Sequence, residues 1–279
     1  MKRSIPALFV WMILLVPSYG ADLTSAPDAL YGGWLKMYDL RFDEAHRIIG
    51  DWQKSHPANP LGPVSQATGY LFSELARLGV LESELFVDDH AFEHRKRLQA
   101  DPATKTRFTE QVDAADREAS AALEKSATDR DALLAKTLEL GLRSDYAALI
   151  EKQSLAALSY TKQSRVYAER LLQSDPQAYD AYLGPGVENY LLSLKALPLR
   201  FILQMTGSRT DREKGIEQLR LTAAHGHYLE PFAKLLLAVA ALREKNSSQA
   251  QSLLQELHDR FPENPLYLRE LSRLATGTK

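Results

Sequence analysis

Residues 228–274 constrain the fold of this chain more than any other stretch. They read as an apolar helix over 228–242, a polar break, a second helix over 249–261, then Pro262-Glu263-Asn264-Pro265 and a third helical start. Within them Ala238, Ala250 and Pro262 lie twelve and twelve residues apart. Two helices cross closely where small residues let their backbones approach, and proline cannot continue the second helix. The spacing therefore marks a helix-turn-helix repeat. The same spacing occurs near the other end, at Gly33, Ala45 and Pro57. There, helices are predicted over 30–39 and 42–55, with Tyr31, Trp34, Leu35 and Tyr38, then Ala45, Ile48, Ile49 and Trp52, at helical intervals.

Between these ends, helices are predicted over 62–78, 84–98, 102–125, 132–141, 145–158, 161–173, 177–194, 197–205 and 212–224. Asp101 is an N-cap ahead of Pro102, and the helix it opens carries a thin stripe of Phe108, Val112, Ala115, Ala119 and Ala122. Ser174-Asp175-Pro176 repeats the closure by proline. Gly226 is expected to end its helix in the left-handed conformation. Asn246 is expected as an N-cap with Gln249 completing a capping box. A last helix over 265–274 is expected to cover the exposed end of a stack, with Arg269, Glu270 and Arg273 facing water. Ala45 and Ala250 are 205 residues apart, close to six periods of about 34. Pro57 and Pro176 are 119 apart, three and a half periods, so the middle departs from the register.

These features resemble the tetratricopeptide repeat (TPR) family, best at 30–57 and 233–274. The order Tyr182, Gly186, Asn189-Tyr190, Pro198, Gly207, Asp211-Arg212, Gly215 and Leu219 is also similar to an exported bacterial subgroup of that family. The resemblance implies an all-α, right-handed superhelical stack of antiparallel helix pairs (an α-solenoid) in one domain at about residues 22–276. It also implies protein binding on a concave side lined by the first helix of each pair. Tyr182, Asn189 and Tyr190 lie on such a helix, with Lys195 and Arg200 just after it. They are the candidate groove residues. Tyrosines of this kind serve equally as packing residues.

Composition sets the setting. Residues 1–20 join a basic start, Lys2-Arg3, to an apolar run over 5–16 and a small-residue end at Gly20. They read as a cleavable signal peptide, which places the mature chain in the periplasm or outside the cell. No other stretch is long and apolar enough to span a bilayer. Without Lys2 and Arg3, 32 of the 34 basic residues stand against 36 acidic ones, which argues against nucleic-acid binding. The chain has no cysteine, hence no disulfide, thiol nucleophile or lipidation site.

The sharpest catalytic pattern is His90-Ala91-Phe92-Glu93-His94. It matches the H-x-x-E-H motif of inverted zinc peptidases, in which two histidines hold Zn²⁺ and the glutamate is the general base. A third ligand is needed; Glu169 or Glu188 can be named, but nothing selects either. Asp88-Asp89 and Arg95-Lys96-Arg97 around the motif favour a solvated helix face. His225-Gly226-His227 reads as a helix-ending turn, and Gly184-Pro185-Gly186 lacks the Lys-Ser/Thr of a phosphate loop. The sequence thus points to an exported, non-enzymatic scaffold that needs no cofactor and holds a protein or peptide partner. The rival readings are a zinc hydrolase using His90, Glu93 and His94, and a structural subunit of an envelope complex.

Overall fold

The computed structural model describes residues 28–81, 98–193 and 211–276, apart from the side chains of 191–193. Among the described residues every regular element is helical. They are α1 (Ala29–Tyr38), α2 (Phe42–Ser55), α3 (Leu61–Arg77), α4 (Pro102–Lys125), α5 (Arg130–Asp145) and α6 (Ser154–Ser174). Then follow α7 (Leu183–Ser193), α8 (Arg212–His225), α9 (Glu230–Arg243), α10 (Ser247–Arg260) and α11 (Pro265–Thr276). A π-turn, Tyr146–Ile150, continues α5, and a 3-10 turn, Tyr179–Tyr182, leads into α7. The apolar start over 1–20, the helix expected over 197–205 and nearly all of that over 84–98 lie outside the described residues.

Local chemistry sets most boundaries. The side chains of Asp28, Asp101, Asp129, Asp211 and Asn246 each accept a backbone N–H of the helix they precede. Three expectations need correction. The two helices expected across 145–173 are a π-turn and one long helix: the break falls at Lys152, held at φ 56, while Ser159-Tyr160 carries nothing that stops a helix. Gly226 is not left-handed (φ −60). Its small size is what the site requires, since a Cβ there would lie 2.6 Å from Thr222 O and 2.8 Å from Asp180 Oδ1. Glu270 does not face water; it is buried and pairs with Arg273 at 2.8 Å.

The helices pack as neighbouring pairs: α1 with α2, α3 with α4, α5 with α6, α7 with α8 and α9 with α10, with α11 against α10. Small residues sit where backbones meet. A Cβ on Gly33 would fall 2.5 Å from Ile49 Cγ1, and one on Gly215 would fall 2.7 Å from Tyr190 N and 2.9 Å from Gly186 O. Ala45, Ala238 and Ala250 are fully buried.

The first and last pairs share turn and cap geometry at an offset of 205. Leu40 and Lys245 both turn the chain at φ 59. Asn59 Oδ1 accepts Leu61 N–H at 3.0 Å, and Asn264 Oδ1 accepts Leu266 N–H at 3.0 Å.

These two ends of the chain meet. Trp34 packs on Tyr228 (centroids 5.4 Å apart) and Tyr38 on Phe261 (5.5 Å). Tyr38 Oη donates to Tyr228 O at 2.8 Å, Asn264 Nδ2 donates to Tyr38 O at 2.8 Å, and Arg41 pairs with Glu263 at 2.7 Å. Phe72 of α3 meets Phe232 of α9 edge to face at 5.5 Å. One apolar core runs from Leu30 and Trp34 through α3 to α6 and on to Tyr228 and Leu229.

Candidate binding cleft

The meeting of the ends fixes the N-terminus of α1. Asp28 caps it, accepting Leu30 N–H at 3.0 Å, and its other oxygen accepts Tyr228 Oη–H at 3.2 Å. His227 Nε2 stands 3.7 Å from the same carboxylate, and its ring stacks on Tyr31 at 4.6 Å. Residues 227–229 are held in turn by Asp180, a buried carboxylate that accepts Tyr228 N–H at 3.1 Å and Leu229 N–H at 3.0 Å. Burial raises the Asp180 carboxyl above its ordinary range, against the pull of those two N–H donors.

Beside this junction a cleft of about 550 Å³ opens between the start of α1 and the second half of α2. Asp28 and Ala29 line it from α1, and Ile48, Asp51, Trp52, Ser55 and His56 from α2. The α2 residues from 48 to 55 recur at i, i+3, i+4 and i+7, so one helix face supplies them. Trp52 and His56 stack nearly parallel, 4.1 Å apart at 12°. The imidazole is held there by Nδ1, 3.0 Å from both Trp52 O and Ser55 Oγ. Asp51 pairs with Lys54 at 2.8 Å, which holds its carboxyl below the usual range. The cleft is thus bordered by a stacked indole–imidazole pair, with the imidazole exposed, and by two carboxylates, Asp51 held by Lys54 and Asp28 by Leu30 N–H and Tyr228.

The residues expected to form a groove are placed differently. Tyr182, on the 3-10 turn, reaches back to Pro176 O at 3.3 Å. Asn189 and Tyr190 are 3% and 4% exposed, packed inside rather than presented at a surface. The Asn189 amide donates to Gln218 Oε1 across the α7–α8 contact at 2.9 Å. Close crossing at Gly186 and Gly215 is what encloses both residues. Lys195, Arg200, His90, Glu93 and His94 lie outside the described residues. Among the described residues no cluster of three or more His, Asp or Glu is arranged to hold a metal.

A second charged cluster ties α4 to α5. Glu139, almost fully buried, accepts from Arg143 Nε at 2.8 Å and lies 3.6 Å from Lys136 Nζ. Asp113 accepts from Arg143 at 2.8 Å, and Asp116 pairs with Lys136. Burial raises the Glu139 carboxyl while Arg143 and Lys136 oppose it. Every charge in this cluster has an opposite partner on a neighbouring turn or helix, the arrangement that makes buried ions tolerable.

The sequence groups Trp52 with Ala45, Ile48 and Ile49 on one face of α2 and does not single out Asp28, Asp51 or His56. The i, i+3, i+4, i+7 spacing was available as a signal. What it could not show is that, among the described residues, a cleft lies between this part of the face and the start of α1. No family model, curated protein or solved structure matches the chain.

Proposed function

We propose that this protein is an exported, non-enzymatic scaffold of TPR-like build that holds a segment of a protein or peptide partner. The observation that carries the reading is the cleft on α2, an open aromatic and acidic surface backed by a frame whose ends are tied together. Its lining comes from a helix face and a capped helix start, so it is presented with little ordering cost. Stacked helix pairs present partner-binding surfaces of this kind. Export is supported by the basic start and apolar run of residues 1–20.

The test is affinity capture from an envelope extract with the native chain and with Trp52→Ala, each partner being identified and rebound in purified form. A purified partner that binds the native chain and loses roughly ten-fold or more with Trp52→Ala, as expected for an aromatic anchor, supports the reading. Absence of any partner that rebinds in purified form removes it.

A further inference from the structure

We propose that the cleft is a subsite for a lysine or arginine side chain of the partner, taking the place that the chain's own Lys234 occupies in the last hairpin. At the offset of 205, Ile48, Asp51, Trp52, Ser55 and His56 correspond to Leu253, Glu256, Leu257, Arg260 and Phe261, and Ala29 corresponds to Lys234. In the last hairpin Lys234 Nζ lies between two carboxylates, 2.6 Å from Glu230 Oε1 and in contact with Glu256. Glu230 also takes Arg260, whose Nη2 donates to Tyr31 Oη at 2.5 Å. That surface is closed by its own cations.

The first hairpin keeps the carboxylate, as Asp51, but has Ala29 where the lysine stands, and among the described residues the surface there is an open cleft. Asp28 brings a second carboxylate to it while also capping α1 and accepting from Tyr228. Trp52 replaces Leu257, and with the exposed His56 ring stacked on it forms an aromatic pair beside the cleft along which an alkyl stem and a cation can lie. Charge complementarity therefore selects a cationic side chain. Lys54 on Asp51 is an exposed i,i+3 pair, of a kind worth little, and can give way to it.

The biological meaning of the subsite rests on the scaffold reading, but the subsite is tested without any partner. The probes are N-acetyl-lysine amide, N-acetyl-arginine amide and the neutral N-acetyl-norleucine amide, titrated into the full chain while the indole N–H signals are followed by NMR. The cationic amides are expected to shift the Trp52 signal and to bind roughly ten-fold tighter than norleucine amide. Asp51→Asn weakens them, Lys54→Gln tightens them, and Ala29→Lys, at an exposed position, fills the cleft from within and abolishes binding with the fold intact by circular dichroism. Equal binding of norleucine amide, or binding that survives Ala29→Lys, overturns the proposal. If the amides fail but a purified partner still binds through Trp52, the subsite falls and the scaffold stands. If the amides bind as expected but no partner is found, the scaffold falls and the cleft stands only as a site for a cationic side chain.

Discussion

Asp145 closes α5, and its partial burial, with no opposite charge among the described residues to offset it, pushes its carboxyl up to about 7. In the unfolded chain the same group titrates near 4. Between these values the native state binds the extra proton, so this residue's contribution is full below about pH 4 and is lost as pH rises through 7. A shift of about three units corresponds to at most about 4 kcal/mol, and to less here because the residue keeps part of its surface in water. Asp145→Asn is therefore expected to flatten the stability profile between pH 4 and 7 and to stabilise the protein above it. Urea unfolding of both chains across that range checks this. An identical pH dependence in the variant would show that the carboxyl is already solvated. Carboxylates such as Glu74 and Asp101, held low by Arg77 and by Thr104, slope the other way and cancel in the comparison.

At the scale of elements, the α1–α2 and α9–α10 turns repeat one backbone solution with different side chains. Leu40 and Lys245 both occupy the left-handed region, where a side chain costs about 1 kcal/mol and glycine does not. Leu40 is half-buried, so replacing it also removes packing, whereas Lys245 is exposed. Lys245→Gly is expected to raise stability by roughly 0.5–1 kcal/mol, read as a higher urea midpoint with unchanged slope. A lower midpoint would mean that the lysine side chain contributes more than the turn strains. The second turn was legible from sequence as a polar break and the first from the matching spacing of Gly33 and Ala45, though no glycine marked the conformation. The Asn246 cap was legible too. Gln249 does not complete a capping box, since its side chain meets the Asn246 amide rather than the backbone.

At the scale of the whole molecule, the ties between α1 and residues 228–264 make the first and last hairpins neighbours. Tyr38 joins them through its ring on Phe261 and its hydroxyl on Tyr228 O. Tyr38→Phe keeps the ring and removes the hydrogen bond, with an expected loss of about 1 kcal/mol. Hydrogen exchange locates the effect: amides of α1 and of the Tyr228 and Phe261 segments are expected to gain exchange together. Faster exchange in α1 alone would show that the two ends open independently. Nothing in the repeat spacing announced this contact, because it joins residues 190 positions apart through aromatic side chains that read equally well as packing within one hairpin.

The sequence by itself determined that the chain is helical and how its first and last hairpins cross. Proline stops, capping side chains and small residues at crossings act over a few residues, so the crossing points at Gly33, Ala45, Ala238 and Ala250 are legible from spacing alone. Only the tertiary structure decided which polar and aromatic residues are reachable. Asn189 and Tyr190 looked like groove residues but are enclosed where α7 and α8 cross at Gly186 and Gly215. Trp52 packs partly against the core, as its place beside Ala45, Ile48 and Ile49 suggests, and among the described residues it also lines the cleft. Exposure depends on which distant elements cover a face, and that follows from the summed packing of many side chains across the chain, which no local spacing encodes.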